Sequence, residues 1–138
     1  MAVSQAGQGS MGADSEELGI FRDSVRRFLR ERIEPHYAAW EREELMPRET
    51  WLALGEAGLL CTDLPERFGG AGAGFRFSVV VQEEFARAGF LSIACAIAVH
   101  SDIVAHYLLN HGSEAQKQRY LPRMATGECV GAIAMTEP

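Results

Sequence analysis

The sequence predicts an all-α fold: a bundle of about six helices, with one short strand at the C-terminal end. Three observations indicate it. Apolar residues recur at spacings of three and four, as they do along one face of a helix. Proline, glycine and capping residues separate these stretches at intervals typical of helices. A continuous apolar run short enough for a buried strand comes at the end, at residues 129–135.

The first helix is expected to start at Asp14 or Ser15, either of which can cap a helix. Residues 1–13 before it are small, polar and rich in glycine, which indicates a disordered tail without the features of a signal or transit peptide. Pro35 is expected to end or kink this helix. Its apolar stripe consists of Leu18, Phe21, Val25, Phe28, Leu29 and Ile33.

Turn and capping residues divide the remainder of the domain. Gly58 can stop the third helix, and Ser113 with Gln116 matches a capping box that opens the sixth. The glycine-rich loop at 61–74 is either a tight packing turn or a loop that faces a ligand. The other five helices are expected at 36–43, 47–57, 75–88, 92–110 and 113–127. The domain therefore spans residues 14–128, and residues 129–138 begin a β structure.

Composition and charge exclude several classes of function. The chain has 138 residues, enough for one domain, and a formal net charge of −6 with dispersed basic residues, which argues against a nucleic-acid partner. It contains no apolar run of about 18 residues, so no membrane span is expected. Cys61, Cys95 and Cys129 lie far apart without metal-ligand spacing. We interpret them as reduced thiols of a cytoplasmic protein.

Residue chemistry alone indicates little catalysis. The four histidines lie apart, and His100 and His106, six residues apart on a helix, do not face one ligand, so no metal site is expected. Glu83 and Glu84 point about 100° apart on their helix, which favours a solvated or salt-bridged face over acid–base work. On these grounds the chain is a helical domain of unassigned function.

A resemblance extends the interpretation. Over roughly residues 16–138 the chain resembles the acyl-CoA dehydrogenase family, with the matching segments in the family's order. The end is the most specific part, because GAIAMTEP at 131–138 leads into the family's T-E-P signature. Within the family, the combination of NHGS at 110–113 with AIAM at 132–135 is most similar to the long-chain branch. The other matching segments are HYAAWE at 36–41, EAGLL at 56–60, LPERFGG at 64–70 and EEFAR at 83–87.

The resemblance implies a flavin enzyme and its partners. It implies an N-terminal α domain followed by a β domain and a C-terminal helical domain, a homotetramer, FAD as cofactor, and electron-transfer flavoprotein as electron acceptor. The implied reaction oxidises an acyl-CoA to a trans-2-enoyl-CoA in fatty-acid metabolism, with a catalytic glutamate outside these 138 residues. Ile133, Met135 and Thr136 are then expected to contact the flavin. The residues expected to line the acyl pocket are Cys95, Ala96, Val99 and Ile103.

Two other functions stay open at this point. The same scaffold could belong to a related flavin monooxygenase, acyl-CoA oxidase or nitroalkane oxidase, because a fold does not determine a reaction. The chain could also be a non-catalytic helical interaction module. In each case the 138 residues alone are expected to have no catalytic activity.

Overall fold

A computed structural model describes residues 8–136 of the chain, with side chains from residue 15 onward. In this part the all-α fold is confirmed, and no strand occurs. The seven α-helical segments are α1 (Gln8–Phe28), α2 (Glu34–Glu43), α3 (Arg48–Glu56), α4 (Phe75–Arg87), α5 (Leu91–Ile97), α6 (Ala105–His111) and α7 (Glu114–Ala125). Short π-helical turns join α1 to α2 and α5 to α6, so the seven segments form five continuous helices.

The helix does not end at Pro35. A π-helical turn at Leu29–Ile33 precedes it, in which the Glu34 N–H donates to the carbonyl of Leu29, five residues back. Pro35 then lies in the first turn of α2, where a missing N–H costs little. Of the two expected outcomes, an end of the helix at this proline is therefore wrong: the wider turn shifts the hydrogen-bond register by one residue and the helix continues.

The first helix also starts earlier than expected. It begins at Gln8 among the described residues, so Asp14 lies inside the helix and does not cap it. Extending an existing helix by one residue costs far less free energy than starting a new helix. The weakly helical residues 8–13 can therefore join the helix at its N-terminal end. Residues 1–7 of the expected disordered tail lie outside the described part.

No strand forms in the described part of the C-terminal segment, and the prediction that this segment starts a β domain beyond this chain stays a prediction. Residues 130–136 follow α7 without regular secondary structure. A strand is stabilised by hydrogen bonds to a neighbouring strand, and the described residues place none beside this segment. An apolar run predicts the side-chain pattern of a strand but does not supply its partner.

The core forms where α1 and α4 pack with the continuous helix Leu91–His111, the central helix. The stripe predicted for the first helix faces it. Val25 of α1 and Leu29 and Ile33 of the π-helical turn are buried, while Leu18, Phe21 and Phe28 pack at the edge of the core. Arg22 of α1 forms ion pairs with Glu83 and Glu84 of α4. The salt-bridged face expected for these two glutamates is therefore confirmed.

Hydrogen bonds explain the outcome of two local predictions, the helix cap at 113–116 and the loop at 61–74. Ser113 and Gln116 form the predicted reciprocal capping box. The loop at 61–74 folds back on itself, because the carbonyls of Leu64 and Thr62 accept the N–H groups of Gly72 and Ala73 at 2.9 and 3.1 Å. These bonds favour the packing turn over the ligand-facing loop.

The central helix, Leu91–His111, extends the helix predicted at 92–110 by one residue at each end. It has 21 residues and a mean hydropathy of 1.5 over its most apolar window, which by length and composition alone is enough to cross a membrane. The core helix of a soluble protein passes the same test. Here His100 and Ser101 at its middle are buried and hydrogen-bonded to other parts of the bundle, as in a core helix.

Candidate functional site

One face of the central helix exposes apolar side chains, although its opposite face is buried in the core. Leu91, Ile103 and Tyr107 are 64%, 37% and 58% exposed, Cys95 is also exposed, and Val99 is half-buried. These five residues recur at intervals of four, so they run along one side of the helix. An exposed apolar stripe on a core helix indicates a surface that another part or a ligand covers.

The structure brings together three of the four residues predicted for the acyl pocket. Cys95, Val99 and Ile103 belong to the exposed stripe. Ala96 lies about 100° further around the helix. It lines a different cleft of about 360 Å³ between α2 and α5, together with Tyr37 and Trp40. Tyr107 was absent from the predicted set, although the interval of four from Ile103 would have identified it.

A second cleft lies where the terminal segment, residues 131–136, passes the end of the central helix. It has a volume of about 550 Å³ and a mostly apolar lining. Ile133 and Met135 of the terminal segment both face it, at 36% and 70% exposure. The other lining residues are Val104, Tyr107, Leu108, His111, Gly112, Gln116 and Ala132. Tyr107 belongs to both the stripe and this cleft, so the two form a continuous surface.

The terminal segment offers unpaired polar groups beside this apolar surface. Within the described residues, the backbone of 132–136 makes no hydrogen bond to other backbone groups. Thr136 is exposed and its hydroxyl has no partner there. Ile133, Met135 and Thr136 therefore present both side chains and peptide groups to an incoming molecule. A flat heterocycle with a polar edge matches such a surface.

His100 attaches the start of the terminal segment to the bundle. Its ring is fully buried, with Nε2 lying 3.0 Å from the Met124 carbonyl and Nδ1 lying 2.9 Å from the Gly131 nitrogen. Burial lowers the pKa of His100, which the Met124 carbonyl partly offsets. The ring is therefore neutral at neutral pH. Trp51 of α3 packs against it edge-on at a centroid distance of 5.2 Å.

Other ionisable groups near the central helix have structural partners. Burial raises the pKa of the Cys61 thiol to about 12, so it does not act as a nucleophile. His106 pairs with Asp63 at 3.0 Å. The Ser78 hydroxyl donates to Asp102, whose pKa is raised by burial. Among the described residues, no group of three histidine, cysteine or acidic side chains could hold a metal ion.

The comparisons agree with this geometry. The family model described as acyl-CoA dehydrogenase, N-terminal domain, matches residues 15–128. The chain belongs to the acyl-CoA dehydrogenase family. The long-chain specific acyl-CoA dehydrogenase, mitochondrial, of Sus scrofa is 44% identical over 124 residues, which cover 90% of this chain and 28% of that protein.

Solved structures of family members share the fold. The acyl-CoA dehydrogenase from Geobacillus kaustophilus is 45% identical with a TM-score of 0.84, covering 89% of this chain and 32% of that one. The acyl-CoA dehydrogenase from Bacillus anthracis, complexed with FAD, is 33% identical with a TM-score of 0.80, covering 88% of this chain and 21% of that one. The chain thus spans less than a third of the length of these relatives.

Proposed function

We propose that this chain is the N-terminal helical part of a flavin-dependent acyl-CoA dehydrogenase. In this proposal its terminal segment lies against FAD, and the exposed stripe of its central helix lies against the acyl chain of the substrate. The observation that carries the proposal is the continuity of the two surfaces through Tyr107. A flavin and a fatty chain must meet for a hydride to pass between them, and the chain offers an adjoining surface to each.

The residues of the terminal segment fit the edge of a flavin. Ile133 and Met135 supply exposed apolar contact. The N–H groups of residues 132–136, which no backbone group of the described residues accepts, and the Thr136 hydroxyl supply donors. FAD, when bound here, would supply the hydride-accepting chemistry, which places negative charge on the pyrimidine ring of the flavin. Fixed backbone donors beside that ring stabilise the charge without a side chain having to move.

The stripe fits a hydrocarbon chain. Cys95, Val99 and Ile103 present small or branched apolar groups over about two turns, and none of them carries a charge. A long acyl tail that leaves water for such a surface gains about 0.8 kcal/mol per buried methylene group. This is the basis for proposing fatty acyl-CoA as the substrate class.

The proton-abstracting group lies elsewhere in this proposal. Glu84 is buried where α4 packs against α1, and it forms ion pairs there with Arg22 and Arg26. It therefore cannot approach a substrate without breaking these ion pairs. We assign no catalytic role to any glutamate of the chain, and the base comes from a part of the protein beyond it.

The partners follow from the same assignment. We propose electron-transfer flavoprotein as the electron acceptor and a homotetramer as the assembly. Unpaired cysteines at 61, 95 and 129 are consistent with a reducing compartment, for which we propose the cytoplasm. The mitochondrial location named for the Sus scrofa relative is the alternative, and microscopy of the tagged protein distinguishes the two.

The experiment uses a chimera in which this chain replaces the matching part of the Geobacillus kaustophilus acyl-CoA dehydrogenase. The chimera is expected to bind FAD, to show a flavin absorption band, and to reduce that flavin when a long-chain acyl-CoA is added. The 138-residue chain alone is expected to be colourless. A chimera that folds but neither binds FAD nor is bleached by any acyl-CoA contradicts the proposal.

The same chimera distinguishes a dehydrogenase from an oxidase. A dehydrogenase passes its electrons to electron-transfer flavoprotein, whereas an oxidase passes them to oxygen and releases hydrogen peroxide. Acyl-CoA turnover that depends on oxygen and yields peroxide contradicts the dehydrogenase assignment. A yellow preparation of the chain alone contradicts the assignment of most FAD contacts to the rest of the protein.

A further inference from the structure

Both ring nitrogens of His100 bond to the backbone, and the two partners differ in kind. Nε2 lies 3.0 Å from the carbonyl oxygen of Met124, at the end of α7. Nδ1 lies 2.9 Å from the amide nitrogen of Gly131, the first residue of the terminal segment. The side chain thus joins the central helix to two points on either side of the turn at 125–130.

These partners allow only one protonation state. A carbonyl can only accept, so Nε2 must carry the hydrogen, and a backbone N–H can only donate, so Nδ1 must be bare. A second proton on Nδ1 would face the Gly131 N–H and remove the bond. The neutral ring with its hydrogen on Nε2 is therefore the one form that satisfies both groups.

Close packing also fixes the position of Gly131. A side chain at Gly131 would come within 2.8 Å of Val104 and 2.9 Å of Met124, so the backbone there already touches both residues. Just before it, the Cys129 N–H donates to the Arg123 carbonyl at 2.9 Å. Beyond Gly131, by contrast, the backbone of the described residues has no such fixed partner. Gly131 is the last anchored residue before the proposed flavin contacts.

We propose that His100 is a positioning residue that sets the place of the flavin-facing segment by accepting the Gly131 N–H. The inference rests on the proposed function. Ile133 follows Gly131 by two residues, so a displacement of Gly131 moves the peptide groups that the flavin would meet. His100 does not touch the flavin in this proposal and acts only through the backbone that it holds.

Two substitutions separate the two bonds. In His100→Asn the side-chain oxygen can take the place of Nδ1 and keep the acceptor for Gly131, while the contact with Met124 is lost. In His100→Gln the side-chain amide reaches the place of Nε2 and keeps the donor to Met124, while the acceptor for Gly131 is lost. His100→Leu loses both. Trp51→Phe serves as control, since Trp51 touches the same ring without hydrogen-bonding to it.

The first measurement needs only this chain. Nitrogen-15 NMR of the ring is expected to show a protonated Nε2 and a bare Nδ1 at pH 7. Exchange of the Gly131 amide hydrogen is expected to be slow in the unsubstituted chain and in His100→Asn. In His100→Gln and His100→Leu it should be at least ~10-fold faster, since one hydrogen bond is lost. A protonated Nδ1, or equal exchange in all four proteins, overturns the inference.

The second measurement uses the chimera and reads FAD binding rather than turnover. FAD affinity and the flavin absorption spectrum are expected to be retained in His100→Asn and Trp51→Phe. In His100→Gln and His100→Leu, FAD is expected to bind ~10-fold more weakly. Unchanged affinity and spectrum in His100→Leu overturn the inference while leaving the proposed function intact. If the unsubstituted chimera binds no FAD, the proposed function itself is contradicted.

Discussion

Arg26 of α1 holds Glu84 of α4 through a hydrogen bond of 2.8 Å between Nε and Oε2. The side chain of Glu84 is only 5% exposed, and Arg22 binds its other oxygen. Burial alone would raise the pKa of Glu84, but the hydrogen bonds from Arg26 and Arg22 outweigh it and the pKa is lowered. The charge of Glu84 is therefore compensated inside the interface between α1 and α4.

Removing this carboxylate should destabilise the fold more than removing its neighbour. Glu84→Ala is expected to lower the free energy of unfolding by about 2 kcal/mol, because it leaves two partly covered arginines without their partner. Glu83→Ala removes a side chain that is 41% exposed and is expected to cost less than about 1 kcal/mol. Urea unfolding of both variants tests this, and equal losses contradict the structural role of Glu84.

The close approach of α3 to the turn after α7 makes a second prediction. Gly127 has a φ of +76°, and a side chain there would overlap the Trp51 carbonyl. Gly127→Ala is expected to cost ~3 kcal/mol of unfolding free energy, from an unfavourable backbone and a forced shift of α3.

Gly58→Ala is the matched control for that substitution. Gly58 has a similar φ of +67°, but nothing lies within 4 Å of an added side chain. Gly58→Ala is therefore expected to lower the free energy of unfolding by about 1 kcal/mol, from the unfavourable backbone conformation alone. If thermal or urea unfolding gives the same loss for both variants, the tight contact between Gly127 and Trp51 is not present in solution.

The buried His100 predicts a pH dependence of stability. Its pKa in the folded chain is below the ordinary value of 6.5. The unfolded chain therefore binds more protons between the two pKa values, and stability falls as the pH drops from 7 through 6.5. The slope due to this residue is at most about 1.4 kcal/mol per pH unit.

His100→Asn isolates that contribution. The variant has no titrating group at this position, and every other residue is the same in both proteins, so the difference in stability between them reports His100. The thiol of Cys61 lies 3.8 Å from the ring, but its pKa of about 12 keeps it neutral over this range. The stability advantage of the unsubstituted chain should therefore shrink between pH 8 and pH 5. A difference that is constant with pH contradicts a lowered pKa.

The features that depend only on residues close together in the chain could be predicted from the sequence. The burial of Val25, Leu29 and Ile33 follows from their spacing, and the cap of Ser113 and Gln116 needs only three residues. The path of the chain at Pro35 was not predictable in this way. A π-helical turn has no residue pattern that distinguishes it from an α-helical one, and it forms where the surrounding packing favours one extra residue.

In the candidate site, too, local spacing was predictable and contacts between distant residues were not. The spacing of Cys95, Val99 and Ile103 places them on one side of a helix, but the four-residue interval continues to Tyr107, which the prediction did not include. The strand predicted for residues 129–135 does not form among the described residues, because a strand needs a second strand, which an apolar pattern does not reveal. The contact between His100 and Gly131 joins residues 31 positions apart, and no local pattern indicates it.

Thiol labelling tests the exposed stripe directly. Cys95 is exposed, whereas Cys61 is buried with a raised pKa. A thiol reagent at pH 8 is expected to modify Cys95 quickly and Cys61 only on unfolding. In the chimera, a long-chain acyl-CoA should slow the labelling of Cys95 and leave Cys129 unaffected. If the acyl-CoA protects neither cysteine, Cys95 does not line the acyl pocket.

Val99→Trp in the chimera tests the stripe by size. The indole fills the space beside Cys95 and Ile103 that the far end of a long acyl chain would occupy, whereas a short chain would end before it. We expect kcat/KM to fall roughly tenfold or more for a long-chain acyl-CoA and much less for a short one. Leu52→Trp adds the same side chain at a 40% exposed position on α3 and should affect all lengths alike. Equal losses across a chain-length series for Val99→Trp would remove the central helix from the acyl pocket.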